Sequence, residues 1–169
     1  MKILKTLSVA SLVLAITACD KNNEFDSMNG DAYSQEMMNV SLKALPAGVE
    51  EGSVKDFVAR AGEKVHFDYD QYSLSMDSKR TIQRQALWLK MFPEVAITVE
   101  GHCDERGTRK YNFALGERRA NAVKRYLVAN GISSSRIDTV SYGKEKPAVA
   151  GHNKASWAKN RRAVSVLVK

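Results

Sequence analysis

The chain lacks the sequence signatures of several large protein classes. It has no Gly-x-x-x-x-Gly-Lys run, which excludes the usual phosphate-binding loop. It has no Cys-x-x-Cys pair, and His66 and His152 have no helical spacing that would complete a zinc site. The apolar stretch from Leu7 to Ile16 is too short to span a membrane as a helix. Internal repeats are also absent, which excludes solenoid folds.

The N-terminus has the pattern of a secretory signal. Met1, Lys2 and Lys5 precede the apolar stretch, and the small residue Ala18 stands directly before Cys19. The last four residues of this pattern, Ile-Thr-Ala-Cys, resemble the lipobox of bacterial lipoproteins, in which the cysteine is lipidated and becomes the new N-terminus. We therefore expect residues 1–18 to be a signal peptide and Cys19 to carry a covalent lipid. The alternative is an ordinary signal peptide with an incidental cysteine.

The charge and the cysteines limit the partners of an exported chain. The formal net charge of +7 would suit nucleic acid, but no basic run is interleaved with aromatic residues. We therefore expect no nucleic-acid partner, and the cell wall and the anionic membrane surface are the acidic neighbours to consider. With Cys19 lipidated, Cys103 is left unpaired. It is either an inert small residue or an oxidisable thiol.

Residues 19–50 are predicted to be a flexible tether and residues 51–169 a single domain. The tether is polar, rich in Asn, Asp and Ser, and shows no sustained period. The domain alternates strand and helix patterns, with a further short element expected at Val54–Arg60. The order β-α-β-α-β-(α)-β predicts an α/β sandwich, also describable as α+β, in which a mixed four-stranded sheet carries two main helices on one face. The predicted elements are strand 65–69, helix 75–92, strand 95–100, helix 111–130, strand 136–142, a helical turn 156–161 and strand 163–168.

The stretch Gly101–Arg119 places a carboxylate and an arginine close together. Asp104 follows the strand 95–100, and the helix behind it contains Arg118 and Arg119. A helical wheel predicts a core stripe that includes Phe113, Gly116, Ala120, Val123 and Leu127. Arg119 flanks this stripe and is expected to be half-buried, whereas Arg118 is expected to be solvated. An arginine and an aspartate that face one crevice suit a zwitterion, although spacing alone equally permits a structural ion pair.

Several fixed spacings resemble one known family. They are VEGHCDERGT at 99–108, Tyr111-Asn112, LGERRA at 115–120 and SYGKEKPA at 141–148. This pattern, from about Val65 to the C-terminus, resembles the C-terminal domains related to outer membrane protein A. The resemblance implies non-catalytic binding of the peptidoglycan stem peptide through its diaminopimelate residue, with no cofactor apart from the lipid on Cys19. It also implies docking to the periplasmic propeller protein of the Tol system.

The resemblance also assigns ligand contacts and a location. The implied contacts are Tyr69, Asp70, Asp104, Arg106, Thr108, Asn112, Leu115, Arg119, Arg161 and Arg162. Alternatives remain for three of them: Tyr69 as a core residue, Asn112 as a helix cap, and either Arg161 or Arg162 facing away from the ligand, because neighbouring strand residues alternate. The implied location is the outer membrane, with the domain facing the periplasm. Asp20, directly after Cys19, raises the alternative of retention in the inner membrane.

An enzyme is the competing interpretation of the same motif. Cys103 next to His102 suggests a nucleophile and a base. Adjacent residues of a strand point to opposite faces, however, so His102 is poorly placed to take the thiol proton. We therefore expect a binding protein and no catalytic residues.

Overall fold

The first helix within residues 47–168 is short and docks onto the rest of the domain. The computed structural model describes residues 47–168, together with Gln35 and Leu45. Helix α1, Val54–Arg60, starts at Ser53, whose hydroxyl oxygen accepts a hydrogen bond from the amide of Asp56. Phe57 of this helix is fully buried and packs edge-to-face on Trp88, with ring centroids 5.0 Å apart. The predicted signal peptide, the predicted lipidation of Cys19 and most of the predicted tether lie outside the described residues.

Four strands form one mixed sheet in the order β1-β4-β2-β3. The strands are β1 Lys64–His66, β2 Ala96–His102, β3 Ile137–Gly143 and β4 Arg162–Val168. β2 and β3 run parallel, while β4 is antiparallel to both of its neighbours, β1 and β2. The predicted strand order along the chain and the mixed sheet are therefore confirmed.

Two long helices, α2 (Met76–Met91) and α3 (Arg109–Ala129), cover one face of this sheet. A further short helix, α4, runs over Lys154–Asn160. The core between α2, α3 and the sheet contains Trp88 and Leu127 from the helices and Ile97 and Val99 from β2. Burying such side chains contributes about 1.5–3 kcal/mol each, before the entropic cost of ordering them. Within residues 47–168 and the two isolated positions, no helix is long and apolar enough to cross a membrane.

Helix α3 approaches the sheet unusually closely because two glycines face each other. A methyl group added to Gly101 of β2 would lie 1.9 Å from the carbonyl oxygen of Gly116 in α3. Only hydrogen fits at this contact, which brings the N-terminal part of α3 against the end of β2. The loop between them is thereby held in place, and it carries Asp104.

The helical wheel was right for most of α3 and wrong for Phe113. Gly116, Ala120, Val123 and Leu127 are buried, but the Phe113 side chain is 55% exposed. Phe113 lies in the second turn of α3, next to the backbone of Gly143 at the end of β3. The core stripe therefore begins one turn later than the wheel suggests.

Candidate functional site

A cleft of about 190 Å³ opens where β1 and β2 end and α3 begins. Its walls come from the loop after β1, the loop between β2 and α3, the first turns of α3, and the residue that precedes β4. The lining residues are Tyr69, Asp70, Cys103, Asp104, Arg106, Gly107, Tyr111, Asn112, Leu115, Arg119 and Arg161. Most of the residues predicted to contact a ligand are therefore brought together.

Asp104 lies at the base of the cleft as a buried carboxylate held by two arginines. The Arg106 guanidinium donates to both carboxylate oxygens, at 3.1 Å and 2.6 Å, and the Arg106 amide donates to Oδ1 at 3.1 Å. Arg161 donates to Oδ2 at 3.4 Å. Burial alone would raise the pKa of the Asp104 carboxyl, but the hydrogen bonds from Arg106, and then Arg161, hold the pKa below its ordinary value. Asp104 is therefore an anion at neutral pH.

Arg106 is fixed between two aromatic rings. Its guanidinium carbon lies 4.1 Å from the centroid of the Tyr69 ring and 4.2 Å from that of the Trp157 ring. Trp157 is held in turn by Glu105, which accepts a hydrogen bond from its indole N–H at 2.8 Å. Cation–π contacts on both faces restrict the arginine to one orientation. Tyr69 is 62% exposed, so the alternative of a core tyrosine is wrong.

Arg119 is more deeply buried than the helical wheel suggests. Its side chain is 0% exposed, and its guanidinium donates to the carbonyl oxygens of Gln71, His102 and Asp68 at 2.8, 2.8 and 3.2 Å. These bonds tie the loop after β1 to the end of β2. Three of the five N–H donors of Arg119 are used in this way, and the side chain also lines the cleft. Arg118 is exposed, as the wheel predicts.

Asp70 closes the cleft on the side of the loop after β1. It has a positive φ of 58°, in the left-handed region that few residues other than glycine adopt. Its carboxylate accepts a hydrogen bond from the hydroxyl group of Tyr111, at the start of α3. Tyr111 therefore belongs to the site, although it was not among the predicted ligand contacts. The motif Tyr111-Asn112 was the available signal.

Of the remaining predicted ligand contacts, two line the cleft and one only stabilises the structure around it. Leu115 is buried and lines the cleft, and Asn112 donates its side-chain N–H to the carbonyl oxygen of Arg106 at 2.7 Å. Asn112 is thus not the helix cap. Thr108 is the cap of α3, since its hydroxyl oxygen accepts from the amide of Tyr111, and it does not line the cleft. Thr108 therefore stabilises the start of α3 and does not contact the cleft.

Of the two consecutive arginines, Arg161 lines the cleft and Arg162 does not. Arg162 is the first residue of β4, and its side chain is buried near the loop that contains Lys146, whose carbonyl oxygen it contacts at 3.3 Å. Arg161 instead caps the C-terminus of α4, and its guanidinium donates to the carbonyl oxygen of Phe67 and to the carboxylate of Asp104. Arg162 was predicted as a ligand contact, but it lies outside the cleft, and only Arg161 of the pair lines it.

The geometry around Cys103 does not suit a nucleophile. Its thiol is buried and donates to the carbonyl oxygen of Asn112 at 3.3 Å, whereas the ring of His102 contacts Glu100 and Tyr142 instead. Burial raises the pKa of the thiol to about 11. In the part of the chain that the structure describes, no cluster of three or more His, Cys, Asp or Glu residues could hold a metal ion.

Comparison with known proteins agrees with this arrangement. Residues 66–161 match the OmpA family. The chain belongs to the OmpA family. It is 52% identical over 116 residues to the peptidoglycan-associated lipoprotein of Agrobacterium fabrum, a match that covers 69% of this chain and 66% of that relative. It is also 40% identical to the peptidoglycan-associated lipoprotein of Haemophilus influenzae, over 96% of this chain and 97% of the relative.

A solved structure has the same fold. The crystal structure of the peptidoglycan-associated lipoprotein from Burkholderia pseudomallei is 45% identical to this chain, with a TM-score of 0.61. The match covers 63% of this chain and 90% of that protein. The α/β fold with a mixed four-stranded sheet is therefore that of a peptidoglycan-associated lipoprotein domain.

Proposed function

We propose that this chain is a non-catalytic, lipid-anchored protein that binds peptidoglycan of the diaminopimelate type through the cleft. The observation that carries the proposal is the pairing of one buried carboxylate, Asp104, with three arginines in the same small space. Such a site offers both signs of charge to one ligand group. The names of the relatives, which describe association with peptidoglycan, support the same conclusion.

The end of the diaminopimelate side chain matches this charge distribution. It carries an ammonium group and a carboxylate on one carbon, whereas lysine ends in an ammonium group alone. In the proposed complex the ammonium group donates to Asp104, and the carboxylate accepts from the remaining N–H groups of Arg119. Arg106 and Arg161 add positive charge around the cleft, and the loop of Asp70 closes over the group. Charged groups held in this way form strong, directional hydrogen bonds.

Calorimetry with two stem peptides, one containing diaminopimelate and one containing lysine, tests the proposal. Lysine leaves the buried guanidinium without its carboxylate partner, at a cost of about 2–5 kcal/mol. We therefore expect the diaminopimelate peptide to bind tens to thousands of times more tightly. Equal affinity for the two peptides would contradict the proposed recognition.

Single substitutions test whether the ligand binds in the cleft or elsewhere on the surface. Asp104→Ala is expected to abolish co-sedimentation with purified sacculi, while Arg118→Ala, on the exposed side of α3, is the matched control and should keep it. Arg119→Ala is expected to lose most of the affinity, but it also leaves three carbonyl oxygens without a donor. Its urea unfolding curve must therefore accompany its binding curve. A larger effect of Arg118→Ala than of Arg119→Ala would mean that the ligand binds elsewhere.

Anchoring in the outer membrane, with the domain facing the periplasm, is the second part of the proposal. It rests on the sequence Ile-Thr-Ala-Cys at 16–19 and on the names of the relatives. Two or more acyl chains on Cys19 would hold the protein firmly on a membrane. Mass spectrometry of the mature N-terminus tests the lipid, and an unmodified Cys19 would refute it. Gradient fractionation distinguishes the outer membrane from inner-membrane retention by Asp20.

We further propose that the surface around the cleft docks the periplasmic propeller protein of the Tol system. The supporting observation is that two aromatic side chains lining the cleft, Tyr69 and Tyr111, are exposed. Exposed aromatic side chains are typical of protein-binding surfaces. Because both side chains line the cleft, the stem peptide and the propeller protein should compete for the domain. Simultaneous binding of both in a pull-down assay would exclude this arrangement.

A further inference from the structure

A second, larger cavity adjoins the cleft, and Arg161 lines both. This cavity, here called the lateral groove, has a volume of about 420 Å³ and lies between the loop after β1 and helix α4. Phe67 and Leu74 supply its apolar surface, and the exposed residue Lys159 also lines it. The two cavities also share a chain segment, because Asp68 lines the groove and Tyr69 and Asp70 line the cleft.

The field in the lateral groove is predominantly positive. The pKa of His66 is lowered by burial and then by the positive charges of Arg162, Lys64 and Arg161, with no carboxylate among the causes. His66 is therefore neutral at pH 7 and can donate or accept a hydrogen bond there. Asp68 is the one carboxylate in the lining, and it is exposed. Two cationic side chains, Lys159 and Arg161, line the groove as well. A negatively charged group of a ligand could therefore pair with them next to the cleft.

A bound stem peptide would extend beyond the cleft on at least one side. The cleft holds about one side-chain terminus, and the residues that flank diaminopimelate in the peptide lie about 3.5 Å further along the backbone per residue. Both flanking residues carry a free carboxylate in a peptide that ends one residue after diaminopimelate: the α-carboxylate of the γ-linked glutamate on one side, and the terminal carboxylate on the other. Either one is an anion of the size that Lys159 and Arg161 could pair with.

We infer that the lateral groove is a second subsite of the same ligand, in which Lys159 and Arg161 bind the carboxylate of a residue next to diaminopimelate. This inference rests on the proposed function of the cleft. Lys159 sets specificity for a free carboxylate over its amide, because an amide offers no charge to the ammonium group. The apolar surface of Phe67 and Leu74 accommodates the aliphatic part of the same residue.

The test compares stem peptides that differ only in one carboxylate. The set comprises the unmodified peptide, a peptide amidated at the glutamate α-carboxylate, a peptide amidated at its C-terminus, and free diaminopimelate. Affinities are measured by calorimetry at low and high salt. We expect one of the two amidated peptides to bind about two- to five-fold more weakly than the unmodified peptide at low salt, as for an exposed ion pair. The amidated peptide with the lower affinity identifies which carboxylate binds in the lateral groove.

Lys159→Ala and Lys154→Ala form a matched pair on helix α4. Lys154 is exposed and does not line the groove. We expect Lys159→Ala to lower the affinity for the unmodified peptide by about two- to five-fold. Its affinities for free diaminopimelate and for the amidated peptide that binds the wild type more weakly should not change. Lys154→Ala should leave all four ligands unchanged.

Two outcomes overturn the inference while leaving the function of the cleft intact. The first is equal affinity of the wild-type domain for all three peptides. The second is that Lys159→Ala lowers the affinity for every ligand by the same factor. Failure of the wild-type domain to bind any diaminopimelate ligand is a different result, and it would refute the proposed function itself.

Discussion

Cys103 lies in the wall of the cleft, but its environment makes the thiol inert. Burial is the main cause of its raised pKa, and the nearby Arg119 only partly opposes it. With a pKa of about 11, roughly one molecule in a thousand carries a thiolate at pH 8. We expect a Cys19→Ser protein, whose one thiol is Cys103, to resist a reagent such as Ellman's reagent at pH 8 and to react fully in urea. Rapid stoichiometric labelling of the folded protein would restore the alternative of a reactive thiol.

The residues of the cleft show what a single sequence can and cannot predict. Helical spacing separated the buried Arg119 from the exposed Arg118, because both lie on one helix and the 3.6-residue period decides their faces. Spacing did not reveal that Arg119 donates to three backbone carbonyl groups, since those groups come from distant loops. The stacking of Trp157 on Arg106 was missed for the same reason: α4 and the loop after β2 meet only in the folded chain.

Helix α3 depends on the contact between Gly101 and Gly116, and a single methyl group tests it. Gly101 does not have a positive φ, so alanine there is opposed by the steric clash with the Gly116 carbonyl oxygen alone. We expect Gly101→Ala to lower the free energy of unfolding by about 2–4 kcal/mol in urea titrations. Wall binding should fall as well, because α3 and the loop of Asp104 would shift together.

Gly48→Ala provides the opposite control. Gly48 has a φ of +79° and nothing within 4 Å of an added methyl group, so only backbone strain opposes alanine there. Its expected cost is about 1 kcal/mol, with no effect on binding. A loss from Gly48→Ala that equals the loss from Gly101→Ala would contradict the steric explanation.

The elements themselves were more predictable than their ends. Each predicted strand and helix of the domain is present, because alternation and helical periodicity reflect which faces are buried. The first strand was predicted to reach Tyr69, yet β1 ends at His66. The alternation of Val65, Phe67 and Tyr69 continued past the point where β4 offers backbone partners, and sequence periodicity does not record where pairing stops.

The stability of the whole domain should depend on pH through a buried histidine. Burial and the charge of Arg162 lower the pKa of His102 to about 4, while the unfolded chain retains an ordinary value of 6.5. Between these two values the unfolded state binds the extra proton, so the free energy of unfolding decreases as the pH falls from about 7 to about 4. The decrease attributable to His102 is up to about 3 kcal/mol.

Chemical denaturation at a series of pH values measures this effect. His102→Gln is expected to flatten the profile over that range, although its stability at pH 7 will differ from that of the wild type. His152→Gln is the control, since His152 is exposed. If the profile of His102→Gln keeps the full wild-type slope, the dependence arises elsewhere, for instance from His66, whose pKa is also lowered.

The position of α1 and β1 in the chain has a mechanical consequence. In the proposed arrangement, a pulling force acts on the domain between the lipid-bearing N-terminal end and the cleft that binds the wall. Both elements lie between these two points, and β1 is a three-residue edge strand paired with β4. They therefore bear the load first. Peeling residues 51–66 from the domain would release about 50 Å of extra chain while β2 and α3, which frame Asp104, keep their grip on the wall.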